Sequence, residues 1–207
     1  MAIISIIVSV VISYSLGSIM FGVIVSKSLK KQDVRNMGSG NAGMTNVLRN
    51  FGSHLAILTA IGDFLKGAAA VYISRLICVN FGNIDYNIAG FIGALAVILG
   101  HAFPMFFQLK GGKGVMTGFA SIIMIDWQAA LIALTIFFVV VIFTRYISLG
   151  SVLAASSYPF ISLLLKRPIF PNFIGGLILA AFIVFLHKEN VKRLMAGTES
   201  KFGSKKN

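Results

Sequence analysis

The chain has 207 residues, 57% of them hydrophobic and 12% charged, and a mean hydropathy of +0.90. A water-soluble domain carries about a quarter charged residues, so the composition excludes an ordinary soluble fold and points to a membrane protein. The net charge of +12 does not mark a nucleic-acid partner, because Lys and Arg come in short bursts between apolar runs rather than on one basic face.

The first apolar run, from Met1 to Ser26, holds no charged side chain, enough for the roughly 20 residues of a spanning helix. No basic segment precedes it, so a cleaved leader is not expected. Further runs cover about 55–74, 88–107, 115–125, 129–144, 149–165 and 173–186. Only Asp126, Trp127 and Gln128 separate the fourth and fifth, which can be one long tilted helix or two helices joined by a tight turn.

Charge placement decides between them. With seven spans, Lys27, Lys30, Lys31, Arg35, Arg49, Lys110, Lys113, Arg145, Lys188, Lys192, Arg193, Lys201, Lys205 and Lys206 share one side. Arg75, Lys166 and Arg167 lie opposite, and Lys66 falls inside a span. Merging the two runs nearly abolishes this bias. The expectation is an all-α, polytopic integral membrane protein with seven transmembrane helices, its N-terminus outside and its C-terminus cytoplasmic. Residues 1–207 form a single membrane-embedded domain that ends in a basic cytoplasmic tail, 194–207. The one cysteine, Cys78, excludes an internal disulfide and is expected to face lipid or a loop.

Three unusual segments fall on the cytoplasmic side. In "GSGNAGMTNVLR", Gly38, Gly40 and Gly43 satisfy the G-x-G-x-x-G pattern and Asp63 lies near the position of a ribose-binding acid. The flanks are membrane helices, which excludes a dinucleotide fold. A phosphate cradle fits better: the glycines let backbone N–H groups turn toward an anion, Ser39, Asn41, Thr45 and Asn46 add neutral donors, and Arg49 can grip phosphate with two parallel hydrogen bonds. The bland alternative is a flexible connector. In "GHAFPMFFQLKGGKGV", Lys110 and Lys113 bracket Gly111 and Gly112 without the spacing of a Walker loop, and a positive flank on a turn is the alternative. His101 is read as a packing histidine. In "HKENVKRLMAGTESK", His187 and Asn190 stand three apart, on one helical face, while Lys188, Lys192 and Arg193 are read as headgroup contacts. Asp63 and Lys66, also three apart, are expected to form a structural ion pair within a span. No nucleophile–histidine–acid order or metal-ligand cluster is present, and no histidine begins the H-x4-D signature of thioester-dependent acyltransferases, since Thr59, Phe106 and Lys192 occupy the Asp position.

Together these segments resemble the motifs of the membrane-integral, acyl-phosphate-dependent glycerol-3-phosphate acyltransferases of bacteria, the PlsY type. That family has GSGNxGATN-like, GHxFPxFxxFKGGKGVAT-like and HxxNxxRLxxGxExK-like motifs, and all three appear here in order. Met44, Met116 and Gln108-Leu109 depart from the common pattern. The resemblance implies transfer of a fatty acyl group from acyl phosphate to the 1-hydroxyl of glycerol 3-phosphate, giving 1-acylglycerol 3-phosphate and phosphate, an early step of phospholipid synthesis. It implies Ser39, His187 and Asn190 as catalytic residues, and Gly38, Gly40, Asn41, Thr45, Arg49, Lys110, Gly111, Gly112 and Lys113 as substrate-binding residues. Ser148 and Ser151 of "YISLGS" are secondary contacts. His187 is the side chain nominated for proton movement, with a substrate phosphate as the competing base. No metal or cofactor is implied. The expected setting is a monomer in the bacterial inner (plasma) membrane, its active site at the cytoplasmic face, in contact with membrane lipids, and with an acyl-phosphate-producing enzyme as functional partner.

The rival reading is an organophosphate carrier or channel, which needs polar residues along a path to both faces, whereas this chain concentrates them at one. With Cys78 removed, cysteines placed near Ser39, near Gly112 and within 201–206 are expected to be labelled only from the cytoplasmic side of intact membranes. Labelling near Gly112 from outside would break the shared face.

Overall fold

With no water to satisfy backbone N–H and C=O groups in the hydrocarbon region, a spanning segment must bond within itself, and the apolar runs accordingly become helices. The structure, a computed structural model, describes residues 1–203; Lys205, Lys206 and the end of the basic tail lie outside the described residues. Among the described residues there are ten α-helices and no strands: α1 (Ala2–Gly17), α2 (Phe21–Lys30), α3 (Met44–Phe51), α4 (Ser53–Gly82), α5 (Tyr86–Ala102), α6 (Val115–Ile125), α7 (Trp127–Thr144), α8 (Ile147–Leu164), α9 (Ile174–Leu186) and α10 (Lys188–Met195). Six segments are long and apolar enough to cross a membrane: Ala2–Lys30, Ser53–Gly82, Tyr86–Phe107, Trp127–Thr144, Ile147–Leu164 and Ile169–Leu186. The fourth run, α6, has 11 residues and is about 16 Å long, half the roughly 30 Å of a hydrocarbon core. It is a separate helix from α7, because Asp126 caps α7 by accepting the Ala129 N–H at 3.2 Å.

The chain divides into two compact units, Met1–Ile125 and a second that starts at Asp126. In the first, α1, α4 and α5 pack against one another, α6 packs on α4 and α5, and α2 and α3 lie against α4. Small residues make these approaches close. Ser5, Ser9, Ser13 and Gly17 form the buried stripe of α1. Ser9 Oγ donates to Ser74 Oγ at 2.7 Å, and Ser74 Oγ donates to the Ala89 carbonyl at 2.5 Å. Gly17 and Gly100 meet where α1 crosses α5, so a Cβ on Gly100 would strike the Tyr14 carbonyl.

Two expectations change here. Cys78 does not face lipid or a loop but is fully buried, its Sγ 3.7 Å from the Ser5 carbonyl. Arg75 does not sit in a loop: α4 continues past it to Gly82, and its buried guanidinium donates to the carbonyls of Tyr86 at 3.2 Å and Met124 at 2.5 Å and stacks 3.8 Å from the Tyr86 ring centroid. A cation that finds carbonyl partners and an aromatic face need not end an apolar helix.

In the second unit α8 packs between α7 and α9. Gly150 lies against Phe137 and Val141, and Gly176 lies against the Tyr158 ring. Arg167 pairs with Asp126 (Nε–Oδ2 2.8 Å) and also donates to Gln128 Oε1, tying the turn after α8 to the start of α7. Gly100→Val is expected to destabilise the first unit by about 1–3 kcal/mol through overpacking, read as a lower thermal midpoint in detergent. An unchanged midpoint would mean that α1 and α5 can separate at no cost.

Candidate active site

The first motif is a loop built on an apolar base. Val34, Ala42 and Val47 are fully buried in one cluster with Met20, Val23, Leu55 and Ala56, and Gly22 of α2 leaves room for the Ala42 carbonyl. Gly38 (φ 59°) and Gly40 (φ 71°) adopt left-handed backbone, where only glycine is unstrained. At Gly38 a Cβ would also strike Asn46 Oδ1. Asn46 is the organiser of this loop. Its buried amide nitrogen lies 2.9–3.0 Å from the carbonyls of Val34, Met37 and Asn41, and its Oδ1 accepts from Ser39 N–H and Asn50 Nδ2 at 3.0 Å.

The expected nest of amides is therefore only partly free to bind. Ser39 N–H is taken by Asn46, Gly40 N–H by the Met37 carbonyl, and Gly43 N–H by Asn41 Oδ1 at 2.9 Å. What the loop offers a ligand is the exposed Ser39, the start of α3 after Gly43, and Thr45 and Arg49. The last two are four apart on α3 and share its face. Asn46, expected as a surface donor, serves the scaffold instead.

The second motif lies beside the first. Arg35, on a 3₁₀ turn at Val34–Asn36, donates from Nη1 to the carbonyls of Phe107 at 2.9 Å and Lys110 at 3.2 Å. Its own position is fixed by Asp33 at 2.8 Å, which also pairs with Lys27 at 3.2 Å. The Arg35 hydrogen bond holds the Asp33 carboxyl well below the usual carboxylate range, against the opposing effect of its partial burial, and Asp33 in turn raises Arg35. Gln108 (φ 59°) and Leu109 (φ 58°) turn the chain into Lys110, which is exposed, while Lys113 is half-buried. Gly112 N–H bonds the His101 carbonyl at 3.0 Å. Arg35 thus ties the turn that leads into the first motif to Phe107 and Lys110 of the second, within the first unit.

The third motif and Ser148 come together within the second unit, on a residue the sequence reading passed over. Glu199 Oε1 accepts from Ser148 Oγ and from Asn190 Nδ2, both at 2.7 Å, and Oε2 pairs with Arg193 Nε at 2.8 Å. Burial alone would raise the Glu199 pKa, but these three donors outweigh it and hold the carboxyl below its ordinary value. Arg193 thus has a carboxylate partner within the protein, whereas Lys192 makes an exposed pair with Glu189. The tail is held at Phe202, whose N–H bonds the Arg145 carbonyl at 2.7 Å, and Arg145 returns a bond to the Phe202 carbonyl at 2.8 Å.

His187 and Asn190 are both buried but do not share one continuous helix, since α9 ends at Leu186 and His187 is the junction to α10. His187 Nδ1 is 2.8 Å from the Ile183 carbonyl. A carbonyl only accepts, so Nδ1 is the ring nitrogen that carries a proton toward it. Ser151 is satisfied within its own helix, donating to the Ile147 carbonyl at 2.9 Å. Among the described residues no group of three or more His, Cys, Asp or Glu could hold a metal ion.

Comparison with known proteins places this geometry. A sequence profile described as glycerol-3-phosphate acyltransferase matches residues 7–197. A glycerol-3-phosphate acyltransferase of Clostridioides difficile (strain 630) is 39% identical over 206 residues, covering 100% of both chains. One from Dechloromonas aromatica (strain RCB) is 44% identical, covering 96% of this chain and 97% of its own. Among solved structures, PlsY (YgiH), an integral membrane glycerol 3-phosphate acyltransferase, in its glycerol 3-phosphate form superposes with a TM-score of 0.85 at 36% identity, covering 96% of each chain. The chain belongs to the glycerol-3-phosphate acyltransferase family and is an integral membrane protein.

The ordinary pKa of Glu199 is 4.5 and its folded value is lower, so its stabilisation is complete above pH 4.5 and is lost as pH falls through the folded value. Glu199→Gln is expected to lower the thermal midpoint at neutral pH, with the deficit against wild type shrinking below pH 4.5. A deficit that does not change with pH would mean that Glu199 acts by shape alone.

Proposed function

We propose that this chain transfers a fatty acyl group from acyl phosphate to the 1-hydroxyl of sn-glycerol 3-phosphate. The hydroxyl oxygen bonds to the acyl carbon, the bond from that carbon to the phosphate oxygen breaks, and 1-acylglycerol 3-phosphate and inorganic phosphate leave. The observation that carries this reading is the full-length match to glycerol-3-phosphate acyltransferases, with all three polar motifs retained.

An acyl phosphate is an activated mixed anhydride, so catalysis needs phosphate binding, alignment of the hydroxyl and stabilisation of developing charge. In the first unit, Arg49, Thr45, Lys110 and Lys113 bind phosphate oxygens, while Gly38, Gly40, Gly111 and Gly112 let the backbone pass close to the ligand. Ser39 orients a reacting oxygen, and Asn41 holds the loop through its bond to Gly43 N–H. In the second unit, His187 is the side chain that receives the hydroxyl proton, with a substrate phosphate as the competing base. Asn190 orients substrate, and Ser148 and Ser151 line the approach. Support for these roles comes from the donor types and from the bond that turns His187 Nδ1 to the Ile183 carbonyl.

The proposed topology has seven crossings, with α6 as a short one, the N-terminus outside and the C-terminus in the cytoplasm of a bacterial cell. The asymmetry of Lys and Arg supports it. The enzyme acts as a monomer, supplied by an enzyme that makes acyl phosphates. A carrier path gains nothing from Asp63 and Lys66, because Lys66 is ion-paired with Asp63 and donates to the carbonyls of Gly17 and Ile19.

Detergent-solubilised protein given acyl phosphate and labelled glycerol 3-phosphate is expected to release phosphate in step with lysophosphatidate, without thioester or divalent metal. Activity with acyl-coenzyme A alone, or loss on chelation, would contradict the reading. Arg49→Lys keeps the charge and loses the planar fork, and a fall in activity of about tenfold or more is expected from one lost charge-assisted contact.

A further inference from the structure

Three ionisable side chains stand one behind another inside the first unit. Lys66 Nζ lies 2.8 Å from Asp63 Oδ1 and donates to the carbonyls of Gly17 at 3.1 Å and Ile19 at 2.7 Å, where the chain breaks between α1 and α2. Asp63 Oδ1 is 3.5 Å from His101 Nδ1, which is 3.4 Å from Thr117 Oγ1. None of these four residues is more than 4% exposed. The series ends at the second glycine turn: the His101 carbonyl accepts from Gly112 N–H at 3.0 Å, and a Cβ on Gly112 would enter the His101 ring at Nε2. A Cβ on Gly111 would strike the His101 carbonyl.

A buried ion pair is weak evidence for stability, since well-packed apolar residues often do as well, and ionisable groups within spans tend to serve function. We propose that His101 is a positioning residue for the reaction. Asp63, paired with Lys66, fixes the imidazole, and the imidazole is the floor on which Gly112 rests while Gly111 rests on the His101 carbonyl, setting the backbone between Lys110 and Lys113. The inference builds on the reading that this turn binds the phosphate of glycerol 3-phosphate. It explains why position 112 has no side chain: the ring occupies the space a Cβ would need. It also gives Lys66 a reach beyond its own helix, from the α1–α2 break to the substrate loop.

The test uses the full chain in detergent, as His101→Ala, Gly112→Ala, their combination, and the charge-free pair Asp63→Asn with Lys66→Met. Elution volume and thermal midpoint establish folding. Amide hydrogen exchange over 110–114 reads the turn directly, and the KM for glycerol 3-phosphate is compared with kcat. Faster exchange at 110–114 is expected in every folded variant, with KM raised about 10- to 100-fold, as for a small misplacement of a binding group, and kcat changed less. The His101→Ala/Gly112→Ala combination is expected to be no worse than the worse single variant, because both act on one contact. Wild-type exchange and KM in the folded charge-free pair, or losses that multiply in the combination, would overturn the proposal. If the charge-free pair does not fold, the His101 and Gly112 variants decide alone. Absence of turnover in the wild-type chain would refute the acyl-transfer reading and leave exchange at 110–114 to judge this one.

Discussion

Where α1 gives way to α2, the carbonyls of Gly17 and Ile19 lack helical partners among apolar helices, and Lys66 supplies the hydrogen bonds they need. An unsatisfied backbone group in such a place costs several kcal/mol, so the break is tolerable only with a donor brought to it. Asp63 neutralises that donor at 2.8 Å. The break in turn sets the course of α2, whose Val23 and Gly22 carry the base and the close contact of the first loop. One charged side chain thus connects the packing of α1, α4 and α5 with the surface that carries Ser39 and Arg49.

Both loops of the first unit solve one problem by the same means. On the proposed reading, a loop that holds cations and hydroxyls toward an anionic ligand has to be rigid, yet its polar backbone cannot be left unpaired. Asn46 does this for the first loop by taking up the carbonyls of Val34, Met37 and Asn41. Arg35 does it for the second by taking those of Phe107 and Lys110. In the second unit Glu199 has the matching role with opposite charge, gathering the donors of Ser148, Asn190 and Arg193. None of these three organisers is a residue that composition singles out, because each looks like an ordinary polar or charged residue until its partners are in place.

The helices were legible because apolar runs must close their own hydrogen bonds. Their ends were less so. Arg75 looked like the end of a span, and only its carbonyl partners and the Tyr86 ring explain why α4 runs on for 30 residues. The break in the first run has no charge or proline to announce it, although serines spaced by four at 5, 9 and 13 were a readable sign of a buried face. The Asp63–Lys66 pair followed from helical spacing alone. Glu199 was readable only as one residue of the third motif, since its partners Asn190 and Ser148 lie 9 and 51 positions away.

The central claim is that the glycine-framed cations of the first unit hold the phosphate of glycerol 3-phosphate. Lysine modification by reductive methylation, read residue by residue by mass spectrometry with and without that substrate, tests it most directly. Protection of Lys110 and Lys113 at saturating glycerol 3-phosphate, with Lys188 and Lys192 modified as before, is the expected result. Equal modification of all four with and without substrate would contradict the account.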